Sequence, residues 1–162
     1  MSVPSNPPML PDAVIVDASV VIAICAKEAG REAIALAELS HHSSQGYEFY
    51  APGVVVSEAL YVLCGKEQNG TLSAADYALA ILELESLSTG FLPPPNGEGA
   101  LVVRAATIRA GYGCSRSADS IYIALAEALT LERPTVLLTF DKGVPNHVTT
   151  NAPTVVVKVL TV

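Results

Sequence analysis

The sequence predicts an α/β sandwich whose mostly parallel sheet is covered on both faces by helices. Three observations carry that expectation. Strand-like and helix-like segments alternate along the chain. The strongest strands, around Val14-Ile15-Val16 and over residues 135–140, are near-continuous apolar runs, as strands buried on both faces are. The length of 162 residues, 51% of them hydrophobic, suits one domain with a sizeable core.

The elements follow in order. The β-branched run Val14-Ile15-Val16 ends at Asp17. Residues 19–28 read as a helix and 31–44 as a second, separated by Gly30, a pair long enough for a crossover to a parallel strand at Tyr47-Glu48-Phe49-Tyr50. Pro52-Gly53 breaks that strand and opens a helix over 54–68, which stops at Asn69-Gly70. Ser73 caps the next helix in a box-like arrangement with Asp76, and the pattern runs to about residue 87. Phe91-Leu92 is read as a short strand before three prolines, and residues 100–110 as a helix ended by Gly111-Tyr112-Gly113. Ser117 caps a helix through residue 131; strands at 135–140 and 154–160 close the chain. Four prolines in residues 1–11 predict an extended or disordered arm, leaving residues 12–162 as a single domain.

Composition narrows the function. Only 15% of residues are charged and the net charge is −7, which excludes a broad basic face for coating nucleic acid. It does not exclude an enzyme that meets phosphate through a bound divalent cation. Cys25, Cys64 and Cys114 are odd in number and far apart, as free thiols in a reducing cytosol would be. The beginning of the chain has neither a basic region nor an apolar stretch of the secretory type. The longest apolar region, residues 13–26, is interrupted by Asp17 and Ser19, so no membrane span is expected. The location expected is cytoplasmic.

In a chain this poor in charge, four acids sit in apolar company. Asp17 closes the first strand and Asp141 follows the strand over 135–140, so both lie on one rim if those strands are parallel neighbours. Glu58 has Val54, Val55, Tyr61 and Val62 three and four residues away, which turns it toward a packed face. Asp119 stands in the first turn of its helix, with Tyr122 and Ile123 on the same face. Singly, most have an ordinary explanation. Asp119 opposes the helix dipole, Asp141 makes an Asp-Lys-Gly turn, and Asp17 caps a helix. Glu58 is the hardest to explain in that way, because a buried carboxylate without a partner costs several kcal/mol or protonates. Together they call for a cation, and four lysines with five arginines are too few to supply it. Oxygen ligands of this kind suit Mg²⁺ or Mn²⁺. Zinc is not expected, since His41-His42 and His147 lack the ligand spacing.

Ile15-Val16-Asp17-Ala18-Ser19, Ala51-Pro52 with Val56-Ser57-Glu58-Ala59-Leu60, the run from Ser117-Ala118-Asp119 to Ala124-Leu125-Ala126, and Leu138-Thr139-Phe140-Asp141 together resemble the PIN-domain nucleases. Among these the chain is most similar to VapC-type toxin ribonucleases of toxin–antitoxin pairs. The resemblance implies a central parallel sheet of four or five strands between helices, in a homodimer. It implies Asp17, Glu58, Asp119 and Asp141 as the metal-binding and catalytic acids, with Ser19 and Thr139 orienting ligands. The implied cofactor is Mg²⁺ or Mn²⁺, the substrate RNA, and the partner a small antitoxin protein. Two features depart from the family pattern: the proline-rich arm is longer, and the chain is more acidic than a protein that grips RNA by itself.

The chemistry expected is metal-assisted hydrolysis of an RNA phosphodiester. Arg109, Arg116 and Lys142 are the candidates for phosphate contact, while Arg104 reads as solvating an exposed helix face. A phosphatase with Asp17 as nucleophile is the weaker enzymatic alternative, because that chemistry usually shows a second acid two residues on, where this chain has Ser19. The other alternative is a catalytically inactive PIN-like module binding RNA or protein; against it, all four acid positions are filled. Neither Gly97-Glu98-Gly99 nor Gly111-Tyr112-Gly113 has the context of a nucleotide loop, and the histidines show no triad pattern.

Overall fold

A computed structural model describes residues 9–115 and 117–162. Its elements run β1 (Ala13–Val16), α1 (Ala18–Cys25), α2 (Arg31–Ser44), β2 (Glu48–Tyr50), α3 (Val54–Gln68), α4 (Ala74–Gly90), a 3-10 turn (Glu98–Leu101), α5 (Val102–Gly111), α6 (Asp119–Thr130), β3 (Thr135–Thr139), α7 (Val144–Asn151) and β4 (Val156–Val159). Among the described residues the sheet has four strands, all parallel, in the order β2-β1-β3-β4. The predicted α/β fold class holds, with a central sheet flanked by helices.

β1 and β3 form the centre. All four β1 residues are buried, and Val16 stands opposite Leu138. This pairing brings the next residues, Asp17 and Thr139, to the same carboxyl edge. Seven of the eight α1 residues are buried as well. A helix apolar all round has to be enclosed, and α1 is enclosed by α2, α3 and α4. On α6, Ile123, Leu125, Ala126 and Leu129 are buried, and this helix packs on β1 and β3 and carries α5 and α7.

Several expectations are corrected in detail. The strand at Phe91-Leu92 is a single bridge, with Leu92 paired to Tyr50 beside β2. Residues 26–28 leave α1 as a turn, and a 3-10 turn precedes α5. Ser117 is not the cap residue of α6; Ala118 is, and the Ser117 hydroxyl accepts the Asp119 N–H from one position further back at 3.2 Å. The sequence reading missed α7 altogether. Its only buried residues are Val144 and Val148, and the rest of the segment, Pro145, Asn146, His147, Thr149, Thr150 and Asn151, favours other structure. Pro145 is tolerated because it occupies the first turn, where no intrahelical N–H bond is lost. Most of the proline-rich arm, residues 1–8, lies outside the described residues. No helix among them is long and apolar enough to cross a membrane. Cys25 is buried, and burial reinforced by the Glu83 charge pushes its thiol up to about 12; Cys64 and Cys114 are exposed free thiols.

Candidate metal centre

Asp17 leaves the sheet and enters α1 as its N-cap, so its carboxylate is held at both ends of that transition. Its backbone N–H donates to the Leu138 carbonyl at 3.1 Å. Its Oδ2 accepts from the Ser19 hydroxyl at 2.5 Å and from the Thr139 hydroxyl at 2.8 Å. Each hydroxyl in turn accepts a backbone N–H from the loop after β3, Ser19 from Phe140 at 3.0 Å and Thr139 from Asp141 at 2.9 Å. Both protons are thereby committed to Asp17. Thr139 is fully buried and Asp17 is 8% exposed.

Glu58 projects from α3, and its Oε1 accepts from the phenol of Tyr122 on α6 at 2.9 Å. Asp119 opens α6, and its Oδ2 lies 3.0 Å from Nδ1 of His147 on α7. The three carboxyl groups sit close enough to influence one another. Burial pushes Asp17 above the ordinary carboxylate range, against the pull of the Ser19 and Thr139 bonds, and the Asp119 charge adds to the rise. Glu58 is raised first by burial and then by the charges of Asp17 and Asp119, with the Tyr122 bond opposing. Burial, with Glu58 and Asp17 beside it, raises the Tyr122 phenol far above its usual value, so it remains a donor.

Asp141 is placed differently. It follows β3 on the same rim, but it is exposed and its Oδ1 accepts the Gly143 N–H at 2.7 Å, the Asx turn that its Asp-Lys-Gly context favours. Lys142 beside it is exposed. Arg109 donates from Nη2 to the Ser117 carbonyl just ahead of Asp119. Arg116 lies outside the described residues. Arg104 does not simply solvate a helix face: it grips Glu127 on α6 with two bonds of 2.5 and 2.8 Å and reaches the Asn151 carbonyl on α7 at 2.7 Å.

Tyr122 and His147 were not expected at this site. For Tyr122 the sequence offered only its place three residues after Asp119 in an apolar helical run; the burial that leaves its hydroxyl in need of a partner is a property of the structure. For His147 there was no signal, since it rides on the helix that the sequence did not announce.

A hard divalent cation fits the donor set: three carboxylates and two hydroxyls, without a thiolate. Among the described residues no lysine or arginine forms an ion pair with Asp17, Glu58, Asp119 or Asp141. One oxygen of each of the three clustered carboxylates accepts a bond from the protein, and the other has no such partner among the described residues. No group of three or more His, Cys, Asp or Glu among the described residues is drawn to ligating geometry. The chemistry of the site suits a cation, while its side chains are arranged around hydrogen bonds.

A family model described as the PIN domain matches residues 14–148, from β1 into α7, and spans all four acids. The crystal structure of PAE2754 from Pyrobaculum aerophilum is similar in fold, with a TM-score of 0.50 and 18% sequence identity, covering 83% of this chain and 78% of that one. No curated protein sequence matches the chain. With the match extending over most of the chain and taking in the sheet and the rim where the acids lie, the protein belongs to the PIN domain family, whose members are in general metal-dependent nucleases.

Proposed function

We propose that this protein is a ribonuclease that hydrolyses RNA phosphodiester bonds with Mg²⁺ or Mn²⁺ held by Asp17, Glu58, Asp119 and Asp141. The observation that carries this reading is the setting of Asp17. It is a buried carboxylate at the junction of β1 and β3, under the charge of Asp119 and beside Glu58, with hydroxyls but, among the described residues, no basic side chain to balance it. Such a group is costly in the folded protein until a cation neutralises it.

A bound divalent cation supplies there an activated water and stabilisation of charge on the leaving oxygen. The protein's own part is positional. Ser19 and Thr139 fix the Asp17 carboxylate, Tyr122 fixes Glu58, and Asp141 stands outermost on the rim, where substrate arrives. Lys142 is the exposed base nearest that edge in sequence and is assigned to phosphate, as are Arg109, which also steadies the Ser117 carbonyl, and Arg116. With a net charge of −7, RNA is held chiefly through the metal.

The expected biological role is that of a toxin neutralised by a small antitoxin protein, acting as a homodimer in the cytoplasm. Exposed apolar side chains such as Tyr61 and Val103, more than three-quarters exposed, are of the kind that a second copy would cover.

The test is cleavage of RNA by the purified full chain with Mn²⁺ or Mg²⁺. Asp17→Asn is expected to lower the rate by about a hundredfold or more, the scale of losing one stabilising group in the transition state, while the circular dichroism spectrum is unchanged. Equal cleavage by a clean preparation of that variant overturns the reading. RNA retention without cleavage under any divalent metal would favour the inactive binding module instead. Growth arrest on induced expression, lost in Glu58→Gln, is the outcome expected of a toxin.

A further inference from the structure

We propose that His147 is a positioning residue of the metal centre, which aims the Asp119 carboxylate toward Asp17 and Glu58. The inference rests on the reading of Asp119 as a ligand and extends it to a helix that carries none of the four acids.

The geometry has three parts. His147 Nδ1 lies 3.0 Å from Asp119 Oδ2, and because a carboxylate only accepts, Nδ1 carries the proton. The imidazole cannot swing away readily, since its other surface is stacked on the Tyr112 ring at 4.0 Å between centroids and 14° between planes. Tyr112 is itself anchored to the same helix start: its hydroxyl oxygen accepts the Ser120 N–H at 3.1 Å, one residue beyond Asp119. Asp119 is thus flanked by a ring pair that fixes both its side chain and the first turn beneath it.

The support behind His147 is equally specific. Asn151 Nδ2 donates to the His147 carbonyl at 2.9 Å, and the Asn151 carbonyl accepts from Arg104 at 2.7 Å. Arg104 is in turn held by Glu127 on α6, the helix that Asp119 begins. Orienters of this kind leave one ligand oxygen available and fix its direction, and their loss typically weakens metal affinity by about 10- to 100-fold.

The experiment measures Mn²⁺ binding to the full chain by calorimetry and thermal shift, with RNA cleavage at limiting and saturating Mn²⁺ alongside. His147→Phe keeps a ring against Tyr112 and removes only the donor; His147→Asn returns an amide N–H near the Nδ1 position. The expected result is ~10-fold or greater loss of Mn²⁺ affinity in His147→Phe, most of it restored in His147→Asn, with cleavage by both recovering at saturating Mn²⁺. A fastening that only holds α7 would instead lower the metal-free melting temperature and leave Mn²⁺ affinity within about twofold of wild type. That result overturns the positioning role. Mn²⁺ binding by wild type that Asp17→Asn abolishes and His147→Phe spares overturns this role alone, whereas a wild type that binds no Mn²⁺ overturns the metal reading and this one with it.

Discussion

At Asp17 the chain spends two hydroxyls and two backbone N–H groups to steady one buried carboxylate. Burial nevertheless leaves Asp17 and Glu58 above their ordinary values of 3.8 and 4.5. Between those values and the raised ones, the folded chain keeps protons that the unfolded chain has released. The stability these groups contribute is therefore present at low pH and lost as pH rises through the folded values. Asp17→Asn cannot titrate, so the melting temperature of the metal-free variant relative to wild type is expected to climb as pH rises from the ordinary carboxylate value of 3.8 through the raised folded one; a flat or falling difference contradicts the assignment. Mn²⁺ affinity of the wild type runs in the same direction, strengthening as the ligands deprotonate. Tyr122→Phe removes the Glu58 partner and is expected to lower the metal-free melting temperature by about 2–4 °C, the equivalent of ~1 kcal/mol in a domain of this size.

Among the elements, α7 is the one that only packing explains. It approaches α5 at Gly111, where a Cβ would fall 1.8 Å from Asn151 Oδ1 and 2.7 Å from its Cγ. Alanine in place of glycine on an exposed helix ordinarily gains up to ~1 kcal/mol. Here the Asn151 amide has to turn away and give up its bond to the His147 carbonyl, which offsets that gain, and Gly111→Ala is expected to destabilise by up to ~1 kcal/mol in urea unfolding. An unchanged or raised midpoint would mean that α7 yields without cost. The other helices were legible because each carries its own signal. The run from Val20 to Cys25 in α1 is apolar throughout, and Ser73 opens α4 with its hydroxyl accepting the Asp76 N–H at 3.0 Å. In α7, Val144 and Val148 are too few to outweigh a proline and several β-branched or short polar residues. The Leu92 bridge was half legible: two apolar residues before three prolines announce an extended segment but not how long it pairs.

For the whole molecule, charge is the governing quantity. Nine basic residues face sixteen acidic ones, and Arg104 and Arg133 are tied to glutamates. Binding of a cleavage-resistant RNA, measured by fluorescence anisotropy, is accordingly expected to weaken about tenfold or more when EDTA removes divalent metal at constant ionic strength. Retention of full affinity in EDTA would place the RNA on basic side chains and contradict the metal-mediated reading. With only 15% of residues charged, an acid inside an apolar run stands out from the sequence.

By itself the sequence determined the fold class, nearly all of its elements and the four acids set in apolar surroundings, because periodicity, β-branching and turn residues act over a few neighbours. Only the tertiary structure decided which acids meet. The pairing of β1 with β3 brings Thr139 to Asp17 across 122 residues, and the packing of α3 on one side and α7 on the other brings Glu58 to Tyr122 and His147 to Asp119. The same packing leaves Asp141 exposed on the rim, with one carboxylate oxygen, Oδ1, tied to its own loop. A hydrogen bond between distant residues has no local signature in the chain. It exists because burial of α1 and α6 against the sheet leaves their polar ends at one rim, where each carboxylate takes the donor that the neighbouring element presents.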